Sequence, residues 1–139
     1  MTAVRETVEG ARQAEVEVLT LFAFSQENWQ RPPEEIEALM SLLQEYVSRE
    51  SEELTAKGVA VRMLGELDRL TPAARAAVDT IESLTRGGSA LALNICLSYG
   101  SRAELTRAAR LLAEEVAAGR LAPADIDEAA LARHLYTAA

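Results

Sequence analysis

Between Ser25 and Arg31 the chain sets Ser, Gln, Glu, Asn, Trp, Gln and Arg in a row. These residue types suit a polar, anionic ligand. The Arg31 guanidinium is a planar fork able to grip a phosphate. Ser25 and Asn28 add short neutral donors and acceptors, and Trp29 adds a flat apolar face with one N–H. The same residues also make an ordinary strand-to-helix turn. In that plainer reading Ser25 or Asn28 caps, Trp29 lies over the core and Arg31 stands in solvent. Loop composition leaves both readings open.

Position favours a site. The turn follows the apolar run Leu19-Thr20-Leu21-Phe22-Ala23-Phe24, which reads as a buried strand, and it precedes Pro32-Pro33 and a long helical pattern. In open α/β sheets, ligands bind at the carboxyl ends of strands. The neighbouring elements follow from periodicity. Val4, Val8 and Ala11 predict an opening helix to about Ala14, and Glu15–Phe24 is the first strand. Glu34–Lys57 is the longest helix, with a stripe of Ile36, Leu39, Met40, Leu43, Tyr46, Val47 and Leu54 that packs a core or lines an apolar cavity. Glu34, Glu35 and Glu37 suit the positive end of its dipole, and Lys57-Gly58 is its stop.

Val59–Leu64 is the second strand and Gly65–Leu70 a loop. Thr71 as N-cap and Pro72 at the first helical position open a helix to about Leu84. Ala90–Leu97 is the third strand, whose Asn94 needs a hydrogen-bond partner, expected in a neighbouring loop. Ser101-Arg102-Ala103-Glu104 has the form of a capping box for a helix that stops at Gly119. A last short helix begins within Pro123–Asp127 and carries Leu131 and Leu135. This α-β-α-β-α-β-α-α order predicts an α/β fold: a partial parallel sheet, three strands visible, flanked by helices. Three strands make a thin sheet with unprotected edges, so residues 1–139 read as a single partial domain, the middle of a larger one.

Composition narrows the function. A net charge of −8, from 14 basic and 22 acidic residues, argues against general nucleic-acid binding. Cys96 is the only cysteine; it excludes an intrachain disulfide, reads as a buried thiol and fits a reducing compartment. No run approaches the ~20 apolar residues of a membrane span, and no signal peptide is visible, so a cytoplasmic protein is expected. Neither GxGxxG nor GxxxxGK[ST] occurs. One histidine, His134, and one cysteine argue against a zinc site or a Ser-His-Asp triad. Glu52-Glu53, Glu114-Glu115 and Asp125–Glu128 read as solvated surface.

The pattern FAFSxENWxRP over Phe22–Pro32 closely resembles a signature of the cis-prenyltransferases, the undecaprenyl diphosphate synthase family. The resemblance runs along essentially the whole chain. It takes in Val4-Arg5 and Val8, Glu34–Met40 with Leu42-Leu43, Pro123–Asp127 and Leu135-Tyr136-Thr137. Leu93-Asn94-Ile95 with Ser98-Tyr99-Gly100-Ser101-Arg102 resembles the family's LNxxxxYGGRxE segment, with Ser101 at the usual second glycine. It implies an enzyme that joins isopentenyl diphosphate to an allylic diphosphate such as farnesyl diphosphate, forming a cis double bond and a polyprenyl diphosphate lipid carrier, with Mg²⁺. It implies a catalytic Asn28, for proton removal or for positioning the isopentenyl group. Ser25, Gln26, Glu27, Trp29 and Arg31 are implied as substrate-binding, and Ala23 as a small residue on the tunnel wall that influences product length. It also implies a homodimer and peripheral membrane contact through the lipid product.

Two family segments have no counterpart. The DGNGRWA-type loop that holds diphosphate and supplies the metal-binding aspartate is absent, as is the RTxGExRxSNFLxWQ segment with its arginines and metal-binding glutamate. The expectation is therefore a central fragment of such a synthase, without the Mg²⁺ ligands, inactive alone and less stable than the whole domain. The alternatives are a non-catalytic accessory or degenerate homologue, and an unrelated phosphate-binding α/β domain. The lack of a Gly-rich phosphate loop argues against the latter.

Overall fold

In the computed structural model, which describes residues 2–138, three strands form a parallel sheet in the order β1-β3-β2. The strands are β1 (Val18–Ser25), β2 (Val59–Leu64) and β3 (Leu91–Tyr99). The helices are α1 (Thr2–Gln13), α2 (Pro33–Ala56), α3 (Pro72–Thr85), α4 (Ser101–Ala117) and α5 (Glu128–Ala132). Met1 and Ala139, the ends of the partial domain expected over 1–139, lie outside the described residues. The chain divides into two compact units, Met1–Ser98 and Tyr99–Ala139.

In the first unit β3 is the central strand. Its register with β2 runs from Val59 opposite Leu91 to Leu64 opposite Cys96. Leu91 and Leu93–Ser98 are buried, as a strand covered on both faces requires. The core gathers Val59, Val78, Ile81, Leu91 and Leu93, with Met40, Val47 and Leu54 from the α2 stripe. Ile36, Leu39, Leu43 and Tyr46 of that stripe are only partly buried. Thr71 caps α3 by accepting the Ala74 N–H at 3.3 Å, with Pro72 first in the helix.

Four expectations for the sheet need correction. β1 is not a buried strand: only Phe24 is fully buried, while Val18 is 55% and Phe22 64% exposed. An apolar run looks the same at the edge of a sheet as at its centre, and strand order decides between them. β1 also starts at Val18 instead of Glu15, because Glu15 turns into the left-handed region (φ 56°) as the chain leaves α1. Asn94 is buried, but its Nδ2 donates to Thr20 Oγ1 at 3.4 Å, on the neighbouring strand and not in a loop. The β2 edge is protected. The Val61 N–H donates to Thr85 Oγ1 (3.0 Å) and the Met63 N–H to Glu82 Oε1 (2.6 Å), so α3 side chains occupy donors that an edge strand would otherwise offer.

Helices α1 and α2 are joined by charge. Arg5 Nη2 lies 2.6 Å from Glu50 Oε1, and Lys57 Nζ lies 2.7 Å from Glu53 and 3.1 Å from Glu9. The Lys57 ammonium holds the Glu9 and Glu53 carboxyls below the usual range, and Glu53 and Glu9 in turn raise Lys57.

The second unit is organised by one carboxylate. Glu104 is buried; Oε2 accepts the Tyr99 hydroxyl and Oε1 the Tyr136 N–H, both at 2.6 Å. Arg107 lies over the Tyr136 ring at 5.0 Å and donates to the His134 carbonyl. The capping box expected at Ser101 does not form. Gly100 is the N-cap and has no side chain to offer, Ser101 is already helical, and Glu104 turns to the two tyrosines. The last helix starts later than expected: Pro123–Asp125 is a 3₁₀ turn and Asp127 caps α5 by accepting the Ala130 N–H.

Candidate active site

At the carboxyl end of β1, Gln26–Gln30 winds into one 3₁₀ turn. Ser25 Oγ accepts the Asn28 N–H at 3.3 Å, and Asn28 Oδ1 accepts the Ser25 N–H at 3.0 Å. This is a reciprocal capping box with Asn in the place of Glu or Gln. A backbone N–H needs an oxygen acceptor, which fixes the orientation of the Asn28 amide. Its Nδ2 is left as a donor with no partner among the described residues.

Trp29 is held on several sides. Its Nε1–H donates to Ser98 Oγ at 2.9 Å. Phe24 meets it edge to face at 5.1 Å, and the Arg69 guanidinium lies 4.8 Å from its ring centroid. Ser98, wholly buried at the end of β3, has φ +53° and accepts the Glu66 N–H on its carbonyl at 3.1 Å. Glu66 follows Gly65, where a Cβ would stand 2.0 Å from the Leu97 carbonyl oxygen. Only glycine permits that approach. The carboxyl ends of all three strands are thus tied through Trp29, Ser98 and the Gly65-Glu66 backbone.

The remaining polar residues of the turn face outward or lack partners. Arg31 is 52% exposed and its Nη1 stands 3.9 Å from Glu35, a loose surface pair that leaves the guanidinium free for an anion. Glu27 is exposed. Gln26 Nε2 is shielded from solvent with no hydrogen-bond acceptor, an unmet donor that invites an oxygen atom. Tryptophan over the core, serine and asparagine capping and arginine in solvent all match the plainer reading of the turn. What that reading does not absorb is Asn28 Nδ2 and the shielded Gln26 Nε2.

The strand leading into the turn lines an apolar groove of about 340 Å³. Leu21, Phe22, Ala23 and Phe24 of β1 face Leu39, Met40, Leu42, Leu43 and Tyr46 of α2, with Ile95 and Leu97 of β3 and Val4 of α1. Burial, and then the Glu50 charge, push the Tyr46 phenol up to about 12, so its hydroxyl stays neutral. Such a groove suits a hydrocarbon chain. Among the described residues no three His, Cys, Asp or Glu side chains gather where they could hold a metal ion.

Sequence reasoning missed two residues here, Arg69 and Ser98. Arg69 fell in a stretch read only as a loop, and no local signal placed it over Trp29. Ser98 ends a strand, but its left-handed backbone and its bond to a residue 69 positions away appear only in three dimensions.

The Prenyltransf family profile, that of undecaprenyl diphosphate synthases, matches residues 1–139. The chain belongs to the cis-prenyltransferase family. It is 46% identical over 136 residues to a ditrans,polycis-undecaprenyl-diphosphate synthase of Xanthomonas axonopodis pv. citri specific for (2E,6E)-farnesyl diphosphate, covering 98% of this chain and 53% of that protein. It is 43% identical to a trans,polycis-polyprenyl diphosphate synthase of Thermobifida fusca specific for (2Z,6E)-farnesyl diphosphate, over 94% of this chain and 46% of the relative. Its fold matches the crystal structure of lavandulyl diphosphate synthase from Lavandula x intermedia in complex with dimethylallyl diphosphate. The TM-score is 0.91 at 29% identity, over 94% of this chain and 56% of that one. The chain spans about half the length of the curated cis-prenyltransferases it matches. Among the described residues no helix is long and apolar enough to cross a membrane.

Proposed function

We propose that the chain serves cis-prenyl transfer, the condensation of isopentenyl diphosphate with an allylic diphosphate such as farnesyl diphosphate to give a polyprenyl diphosphate. The observation that carries this reading is the continuity of β1. Its Leu21–Phe24 line an apolar groove, and the next residues form a turn with unmet donors. A hydrocarbon chain fits the first and a diphosphate the second.

The chemistry divides along that line. The allylic C–O bond breaks, diphosphate leaves, and the C=C of the isopentenyl group attacks the carbocation. Loss of a proton to the departing diphosphate completes the cis double bond. The groove shields the cation and the growing chain from water, and Ala23 keeps it open. Arg31 grips a phosphate. A neutral amide is a poor base, and the Asn28 oxygen is already bonded to the Ser25 N–H. Asn28 therefore acts through its Nδ2 donor, orienting a phosphate oxygen as proton acceptor. Gln26 is a second such donor, and Ser25, Glu27 and Trp29 complete the substrate-binding turn.

Mg²⁺ belongs to this reading through the family, where it would offset leaving-group charge. Among the described residues no three His, Cys, Asp or Glu side chains gather to hold it. A cytoplasmic location, a homodimer and peripheral membrane contact through the lipid product belong to the same reading.

The test is a prenyl-transfer assay with farnesyl diphosphate, labelled isopentenyl diphosphate and Mg²⁺. It compares the 139-residue chain with a chimera in which the chain replaces the matching segment of the Xanthomonas synthase. Polyprenyl product from the chimera supports the reading, with none expected from the chain alone. A folded chimera without product overturns it in favour of a non-catalytic homologue.

A further inference from the structure

We propose that Ser98 is a positioning residue for the Ser25–Arg31 turn: from the end of β3 its hydroxyl fixes the Trp29 indole, and through it where Asn28 and Arg31 stand. The inference rests on the reading of that turn as substrate-binding and adds to it the group that sets the turn's orientation.

The backbone at Ser98 carries a conformational cost. Ser98 sits at φ +53°, a region in which a Cβ crowds the backbone. Glycine would take that conformation without penalty. The backbone turns there for a visible reason: the Ser98 carbonyl accepts the Glu66 N–H, and Gly65 passes close beneath Leu97. None of this needs a side chain at position 98. The hydroxyl supplies the one thing glycine lacks, an acceptor 2.9 Å from Trp29 Nε1.

That bond is directional, whereas the other two contacts to the ring are not. Arg69 at 4.8 Å and Phe24 at 5.1 Å pack against the indole but tolerate its rotation in its own plane. The Ser98 acceptor fixes that rotation. Trp29 is adjacent to Asn28 and two residues before Arg31, so an indole that turns carries both with it. The Ser25–Asn28 capping box keeps the turn wound but does not set its direction relative to the ends of β2 and β3. The Trp29–Ser98 bond does.

Trp29 is the only tryptophan, so intrinsic emission reports on this ring and no other. The test compares Ser98→Gly and Ser98→Ala with the wild-type chain in three measurements: melting temperature, emission without ligand, and isopentenyl diphosphate affinity from the change in emission. Ser98→Gly is expected to melt at or above wild type while shifting the emission and weakening affinity by about three- to tenfold. Ser98→Ala keeps the conformational cost, and is expected to show the same emission and affinity changes with a lower melting temperature. Wild-type emission and affinity in Ser98→Gly would overturn the inference and leave the substrate-binding reading standing. Wild-type chain whose emission does not change with isopentenyl diphosphate would overturn the inference, which needs a turn that binds substrate in this chain, while the chimera assay alone decides the substrate-binding reading.

Discussion

Two stretches at strand ends, Ser25–Asn28 and Ser101–Glu104, carry the same kind of sequence pattern and end in opposite states. In the first, the turn closes on itself by a capping box, and it leaves donors over: Asn28 Nδ2 and the shielded Gln26 Nε2. In the second, no box forms. Glu104 lies buried with one oxygen on the Tyr99 hydroxyl and the other on the Tyr136 N–H. The difference is one of available partners. A carboxylate offered two strong donors in a buried place accepts them, and the helix end goes without a side-chain cap. The comparison separates polar groups that hold the structure from polar groups left to act on something else.

The sharpest way to break this comparison is to separate the two jobs of Asn28. Asn28→Asp keeps an oxygen for the Ser25 N–H and replaces the free NH₂ with a charged oxygen that repels phosphate. In the chimera it is expected to lower prenyl transfer by about 10²-fold or more at unchanged melting temperature. Asn28→Ala loses the cap as well, and is expected to cost about 1 kcal/mol of stability besides activity. Near-normal turnover in Asn28→Asp would mean the leftover donor has no role. On the other side, Glu104→Ala removes the acceptor of both tyrosine bonds. It is expected to destabilise the Tyr99–Ala139 unit by about 3 kcal/mol in chemical denaturation. A loss below about 0.5 kcal/mol would show that Glu104 is as dispensable as a surface carboxylate.

How far the sequence could be read follows the same division. Periodicity located the three strands and helices α1 to α4 to within a few residues, with β2 (Val59–Leu64) matched residue for residue, because that signal is local. Strand order is not local. The apolar β1 looked buried, yet Phe22 is largely exposed, since β3 and not β1 takes the centre of the sheet. The protected β2 edge was missed because Thr85 and Glu82 lie on α3 and meet that edge only after folding. At the site, the Ser25–Arg31 turn was legible as chemistry and as family signature. Ser98 and Arg69 were not, because each matters only through the Trp29 indole.

A smaller effect tests the groove. Ala23 stands on its wall, on the strand that leads into the turn. Ala23→Leu adds volume there while leaving every bond of the turn in place. In the chimera it is expected to shorten the polyprenyl product with little change in the first condensation, read by separating labelled products by length. Products of unchanged length would mean the chain grows elsewhere, and the groove would then belong with Glu104 among features that only hold the structure.

The smallest expected effect concerns Glu9, Glu53 and Lys57 between α1 and α2, which are ionic partners and, unlike Glu104, partly exposed. Glu9 and Glu53 are held below the ordinary value of 4.5 by Lys57. Groups with depressed folded values stabilise fully above the unfolded value, and that contribution fades as pH falls through the folded ones. Lys57 is raised above 10.5, so its contribution is complete below that value and fades as pH rises through the higher folded one. The network therefore adds a plateau between about pH 4.5 and 10.5, shallow because solvent screens exposed pairs. Lys57→Met should flatten the acid limb of the melting-temperature profile, and added salt should do the same to wild type. Equal acid limbs in both proteins would show that the Lys57 pairs contribute nothing to stability.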